Sequence, residues 1–162
     1  MTVLFLIVAR GGSKRIPRKN LQCIEGRSLL GYKAMACPQA IVSTEDDEII
    51  SLACRYGLEV LVRPSALAQD ETTTEDVIRH AMQLLTPKDA IMLLEPSSPF
   101  VSPKTLASAI QLMIEKDADF VFGHVLYLFK WSWLLYRDAL YSHLSEKTFY
   151  LDMPTSEAVD ID

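Results

Sequence analysis

At 162 residues, with 49% hydrophobic and 23% charged side chains, the chain suits one domain (residues 1–162) with a real core and is too apolar for disorder. Its net charge of −5 is unevenly placed: residues 1–20 hold five cations (Arg10, Lys14, Arg15, Arg18, Lys19) and no acid, and the other 142 hold 11 cations and 21 acids. An acidic body with one basic loop excludes a general nucleic-acid binder, whose polyanion would meet like charge, and favours a small polyanion held at one place.

The first predicted element is Val3–Val8, a continuous apolar run of the kind found in strands buried on both faces. With Ala9 it is the longest such run, far short of the roughly 20 residues of a membrane span, and no basic segment precedes it. No membrane partner and no signal peptide are therefore expected. A loop, 9–20, follows. Ser28–Cys37 reads as a helix ended by Pro38, and Ala40–Ser43 as a short strand. Asp46–Tyr56 is a predicted helix with Ile49, Ile50 and Ala53 inward and Gly57 at its end. Glu59–Val62 is a strand. Thr74–Leu85 is a helix, with Thr74 as its cap and Val77, Ile78, Ala81, Leu84 and Leu85 on one face. Ala90–Leu94 is a strand, and Ser102-Pro103 opens a helix with Leu106, Ile110, Met113 and Ile114 inward. Phe120–Phe129 reads as a strand, Ser132–Leu144 as a helix and Thr148–Leu151 as a strand.

Alternating strands and helices predict an α/β fold, a mostly parallel sheet with helices on both faces. Ligands of such sheets bind at the carboxyl ends of the strands. Four polar loops then become candidates: 9–20, 43–46, 63–74 and 95–102. Cys23, Cys37 and Cys54 are odd in number and lack CxxC spacing, which predicts reduced thiols, a cytoplasmic protein and no zinc site.

The first loop carries the strongest signal. In Arg10-Gly-Gly-Ser-Lys-Arg-Ile-Pro-Arg-Lys-Asn20, two glycines allow a tight turn and close approach of backbone N–H groups to a ligand. Five clustered cations repel one another until an anion offsets them. The spacing is neither a Walker A loop nor a GxGxxG fingerprint. A solvated basic turn is the alternative to anion binding.

Residues 9–20 resemble the signature loop of the acylneuraminate cytidylyltransferases (CMP-sialic acid synthetases). Further segments resemble that family in order: Ile41–Ile49, Arg63-Pro-Ser-Ala-Leu-Ala-Gln-Asp70, Thr72–Ile78, Leu93-Leu-Glu-Pro-Ser-Ser-Pro99, and Met153-Pro followed by Val159-Asp-Ile-Asp162. The resemblance implies a three-layer, Rossmann-like nucleotidyltransferase fold. It implies transfer of CMP from CTP to a nonulosonic sugar acid, with pyrophosphate as the second product. A nucleotide-binding remnant with lost or altered sugar activation is the alternative.

By the same resemblance, Arg10 and Lys19 would neutralise phosphates as catalytic residues. Ala9, Gly11, Gly12, Ser13, Lys14 and Asn20 would complete the nucleotide-binding loop, and Arg63 and Thr74 would contact the nucleoside. Read locally, Arg63 is a surface cation before Pro64 and Thr74 a helix cap. Asp160, also placed among the catalytic residues, and Asp162 lie one residue apart, so on an extended segment both carboxylates face one side and can meet a hard cation, here implied to be Mg²⁺; a solvated tail is the plainer reading. Glu45–Glu48 reads as an acidic helix start, with metal binding second. His80 reads as structural, and Trp131 and Trp133 as packing residues.

Two departures concern the acidic sugar. Phe120–Lys130 fuses two segments that the family separates, which implies loss of most of a dimerisation and sugar-binding insert and leaves the oligomeric state open. Glu95 stands where the family turn has Gln, at a substrate-binding position. A carboxylate there repels an acidic sugar unless its charge is offset.

Overall fold

The computed structural model of the chain describes residues 1–135 and 147–161. Its elements in chain order are β1 (Val3–Val8), β2 (Cys23–Ile24), β3 (Arg27–Ser28), α1 (Leu29–Ala36), β4 (Ile41–Thr44), α2 (Asp47–Arg55), β5 (Glu59–Val62), α3 (Thr74–Leu84), β6 (Ala90–Leu94), α4 (Pro103–Lys116), β7 (Phe120–Phe122), β8 (Tyr127–Lys130), α5 (Trp131–Leu135) and β9 (Thr148–Tyr150).

Seven strands form one sheet in the order β5-β4-β1-β6-β8-β7-β9. β1 lies between β4 and β6, both parallel to it, with Leu6 opposite Ile41 and Leu93. Among the described strands, only β8 runs against the rest. Because side chains alternate across a strand, the apolar runs feed two cores. On one face, Ile7, Val42, Met92 and Leu94 pack with Leu30 of α1, Ile49 and Ala53 of α2, and Leu106, Ala109 and Met113 of α4. On the other, Leu4, Leu6, Ile91 and Leu93 pack with Ile78 and Ala81 of α3 and Trp133 and Leu134 of α5. This is the expected three-layer α/β arrangement with a mostly parallel sheet. Trp131 and Trp133 are buried in the second core, and Phe120 stacks on Trp133 with ring centroids 5.6 Å apart.

Several expectations are corrected. The segment 120–129 is two strands, folded back at a turn closed by the Gly123 N–H donating to the Leu126 carbonyl at 2.8 Å. A glycine at 123 leaves room for Met153, whose Sδ lies 2.5 Å from where a Cβ would sit. The short hairpin β2–β3 was not predicted; its turn, Glu25-Gly26, has positive φ at both residues (49° and 79°), the geometry that matches a two-residue hairpin to strand twist.

Ile114 and Leu84 are 59% and 61% exposed rather than inward, and Ala109 fills the inward stripe of α4 instead. The cap of α3 is Thr73, not Thr74: the Thr73 hydroxyl accepts from the Asp76 N–H and the Asp76 carboxylate accepts from the Thr73 N–H, a reciprocal box. Of the helix predicted over 132–144, the described part is 131–135; the remainder, with His143, lies outside the described residues.

Phe120 is 1% exposed between Phe129 and Trp133. Phe120→Ala is expected to destabilise the fold by about 3–5 kcal/mol through the cavity it leaves. Thermal unfolding should show a Tm lower by roughly 10 °C.

Candidate functional site

The carboxyl ends of β1, β4, β5 and β6 lie side by side, so the loops after them converge. They enclose a cavity of about 330 Å³, within the size range of small-ligand pockets. Its walls are Arg10, Ser13, Lys19 and Asn20 from the first loop, Arg63 with residues 67–70 and 72–74 from the third, and Glu95, Pro96 and Ser97 from the fourth. A second hollow shares Arg10, Ser13, Lys19 and Asp70 with it and adds Lys14 and Arg15, forming a cationic bay at the cavity mouth.

The second loop shapes the site without lining it. Glu45 Oε1 accepts from the Gly11 N–H at 2.8 Å, and Oε2 accepts from Arg63 Nε and Nη2 at 3.2 and 3.0 Å. Asp46 caps α2 by accepting from the Glu48 and Ile49 N–H groups, and also takes both guanidinium nitrogens of Arg18 at 2.6 and 2.9 Å. The acidic run 45–48 is thus a helix start, as expected, and three of its carboxylates, Glu45, Asp46 and Glu48, tie down the cationic loop. Asn20 is buried and donates to the Arg10 carbonyl at 2.9 Å, closing the loop on itself.

Arg63 is not a surface cation. It is 3% exposed, burial lowers the pKa of its guanidinium while Glu45 opposes that, and its Nη1 has no hydrogen-bond partner. Such an orphaned buried donor is costly unless something satisfies it, and Arg63 lines the cavity. Thr74, relieved of capping, lines the same wall. In the bay, Asp70 accepts from Arg10 at 3.3 Å and pairs with Lys14 at 2.8 Å; Lys14 first, then Arg10, holds its carboxyl below the ordinary range.

The remaining predicted residues are placed differently. Ala9 is fully buried in the core, with its N–H donating to Ser43. Gly11 is buried beside Asp46, and Gly12 is exposed. Lys19 Nζ donates to the Ile161 carbonyl at 2.9 Å, and the Ile161 N–H donates to Ser97 at 2.8 Å, so the tail runs along the cavity rim. Asp160 is exposed there, 3.5 Å from Ser98 Oγ. Asp162 lies outside the described residues.

Sequence reasoning did not single out Gln69, Asp70, Glu45 or Lys33. The first two sit in a segment already noticed. Glu45 was read as one of four helix-start acids. Lys33 carried no signal, because a lysine in a short helix reads as solvent-facing. It is 1% exposed.

Comparison with known proteins follows the same lines. The sequence model of a family described as "Cytidylyltransferase" matches residues 4–150. A CMP-N,N'-diacetyllegionaminic acid synthase of Legionella pneumophila is 35% identical over 69% of this chain and 53% of its own length. An N-acylneuraminate cytidylyltransferase A of Danio rerio is 34% identical over 78% of this chain and 31% of its own. The chain thus spans about half, or less, of these relatives. A solved cytidylyltransferase of Leptospira borgpetersenii shares the fold, with a TM-score of 0.76 and 20% identity over 98% of this chain and 79% of that one.

Two outcomes test the loop's construction. A Cβ at Gly11 would sit 2.2 Å from Asp46 Oδ2, whereas Gly12 has open space. Gly11→Ala should therefore cost about 1–3 kcal/mol in thermal unfolding, and Gly12→Ala should be near neutral. Arg18, foremost, holds the Asp46 carboxyl below its ordinary 3.8. A folded-state value below the unfolded one contributes stability that is present above about pH 4 and is lost as pH falls through the folded value. Asp46→Asn should therefore flatten that part of the acid-denaturation profile.

Proposed function

The chain belongs to the cytidylyltransferase family, and from that premise we propose that it transfers CMP from CTP to a nonulosonic sugar acid with release of pyrophosphate. The observation that carries this reading is the pairing of a cavity lined by Arg63, whose buried Nη1 lacks a partner, with a bay of four cations. A nucleoside presents hydrogen-bond acceptors to the first and a triphosphate presents charge to the second.

In this reading Arg63 and Thr74 meet the nucleoside, and Asn20 keeps the loop closed beside it. Arg10, Lys14 and Lys19 bind the triphosphate oxygens, with Ser13 and the Gly11-Gly12 turn shaping the approach. A hydroxyl oxygen of the acceptor forms a bond to the α-phosphorus. The bond from that phosphorus to the β-phosphate oxygen breaks, pyrophosphate leaves with the electron pair, and the hydroxyl proton passes to solvent. Charge accumulates on the phosphate oxygens during this displacement, and preorganised cations stabilise it. Asp70 now offsets two of those cations, and the triphosphate takes its place.

Mg²⁺ is the proposed cofactor. No group of three or more His, Cys, Asp or Glu suited to a metal occurs among the described residues. Asp160 at the rim fits the habit of Mg²⁺, which takes one or two carboxylates and fills its shell with water and substrate phosphates, and Asp162 is proposed as the second carboxylate. When bound, the ion would neutralise phosphate charge. The tight fold-back between β7 and β8, where the resemblance implies a longer insert, favours a second reading, a CTP-binding domain without turnover.

CTP with Mg²⁺ should raise Tm above the shifts given by UTP, ATP or GTP, by an amount that grows with ligand concentration over Kd. Arg63→Ala should weaken CTP about 10-fold or more by removing charge-assisted hydrogen bonds. No CTP-dependent shift would overturn the nucleotide reading. Pyrophosphate release that requires an added sugar acid separates the enzyme from the binding domain.

A further inference from the structure

Asp70 is a carboxylate set among cations that the proposed reaction gives to phosphate. It lines both the cavity and the cationic bay at its mouth. Its Oδ1 accepts from Arg10 Nη1 at 3.3 Å, and its Oδ2 pairs with Lys14 Nζ at 2.8 Å. Arg10 Nη1 also donates to the Gln69 carbonyl at 3.2 Å. Both cations are therefore turned towards residues 69 and 70 of the third loop. One carboxylate shared between two cations is a sparse imitation of a polyphosphate, which offers several charged oxygens to the same groups.

The loop backbone holds this carboxylate in place. Gln69 Nε2 donates to the Ser65 carbonyl at 2.8 Å, the Thr72 N–H to the Gln69 carbonyl at 3.2 Å, and the Thr72 hydroxyl to the Ala66 carbonyl at 3.3 Å. Thr73 then enters the capping box of α3. The Asp70 side chain is less constrained. It is 47% exposed, and Arg10 and Lys14 are its only partners among the described residues. Rotating it into water frees both cations without moving the backbone. The same tether keeps it at high effective concentration, so it pairs again once they are released. Ion pairs this exposed are weak, so a polyphosphate can displace Asp70, whereas an anion with a single charge gains little by doing so.

Resting on the cavity being a CTP site, we propose that Asp70 is a positioning residue that competes with phosphate for Arg10 and Lys14 and thereby promotes the departure of pyrophosphate. Before CTP arrives, Asp70 holds the two cations in place and offsets part of their mutual repulsion. CTP displaces it because the triphosphate brings more charge. Once the bond from the α-phosphorus to the β-phosphate oxygen has broken, pyrophosphate is no longer tethered to the nucleoside. Asp70 returns to Arg10 and Lys14 and competes it off. A nucleotide with an α-phosphate alone leaves the bay to Asp70 throughout. Asp70 acts through the two cations and takes no part in the displacement itself.

The test compares wild type, Asp70→Asn and Asp70→Ser by calorimetry, in Mg²⁺ buffer at low ionic strength and with no acceptor present to allow turnover. Inorganic pyrophosphate, CTP and CMP are the ligands. Both variants should bind pyrophosphate and CTP about three- to tenfold more tightly, the scale of two exposed ion pairs, while CMP stays within about twofold. A structural lesion would weaken all three ligands, so tightening confined to the polyphosphates marks a lost competitor. Should one variant fail to fold, the other carries the comparison. Pyrophosphate affinity that is unchanged or weaker in the variants would overturn this inference. So would equal tightening of CMP, or pyrophosphate binding that is undetectable in wild type and variants alike while CTP binds. A wild type that binds no CTP would instead overturn the proposed function on which it rests.

Discussion

The Glu45 carboxylate joins the two loops on which the site depends. One oxygen takes the Gly11 N–H and the other takes Arg63. Five cations within ten residues would drive the first loop open by mutual repulsion, and a buried guanidinium with no anion would not stay folded. The loop cations find acids in Asp46, Glu48 and Asp70, while a single acid at the end of β4 serves the loop backbone and Arg63 together. It bends the loop back over the sheet, and it holds Arg63 with one nitrogen left over for a ligand. Asp46 repeats the device one residue later, spending one carboxylate on the start of α2 and on Arg18.

The parallel sheet makes this economy feasible. Neighbouring parallel strands end on the same side, so residues 10, 45, 63 and 95, far apart in the chain, leave adjacent strands within reach of one another. The tail completes the arrangement by running back along the rim, tied through Ile161 to Ser97 and Lys19 and through Glu157 to α4. The cationic bay, the cavity wall at Arg63 and the turn at Glu95 therefore belong to one strand-end surface.

Much of the fold was legible in the sequence because the central strands are buried on both faces and read as unbroken apolar runs. β5 and β6 match their predicted bounds. Misreadings came where local chemistry offered two answers. Thr73 and Thr74 both suit a cap, and only the reciprocal bond with Asp76 decides between them. The run 120–129 is apolar but for Gly123-His124, and that short break is outweighed locally by the strand pattern on either side of the fold-back that Gly123 allows. The site was legible as a set of loops. Its inner workings were less so, since a buried lysine and a surface lysine look alike in one dimension.

Sequence alone determined the layer architecture, the order of its elements and the address of the cationic loop, because hydrophobic period and clustered charge are properties of short stretches. Tertiary structure decided what each charge is for. It buried Arg63 and Lys33, gave Arg63 the Glu45 carboxylate, and brought residues 160 and 161 beside 19, 97 and 98. Electrostatic roles depend on distance and desolvation, and both are fixed only when segments remote in the chain have packed.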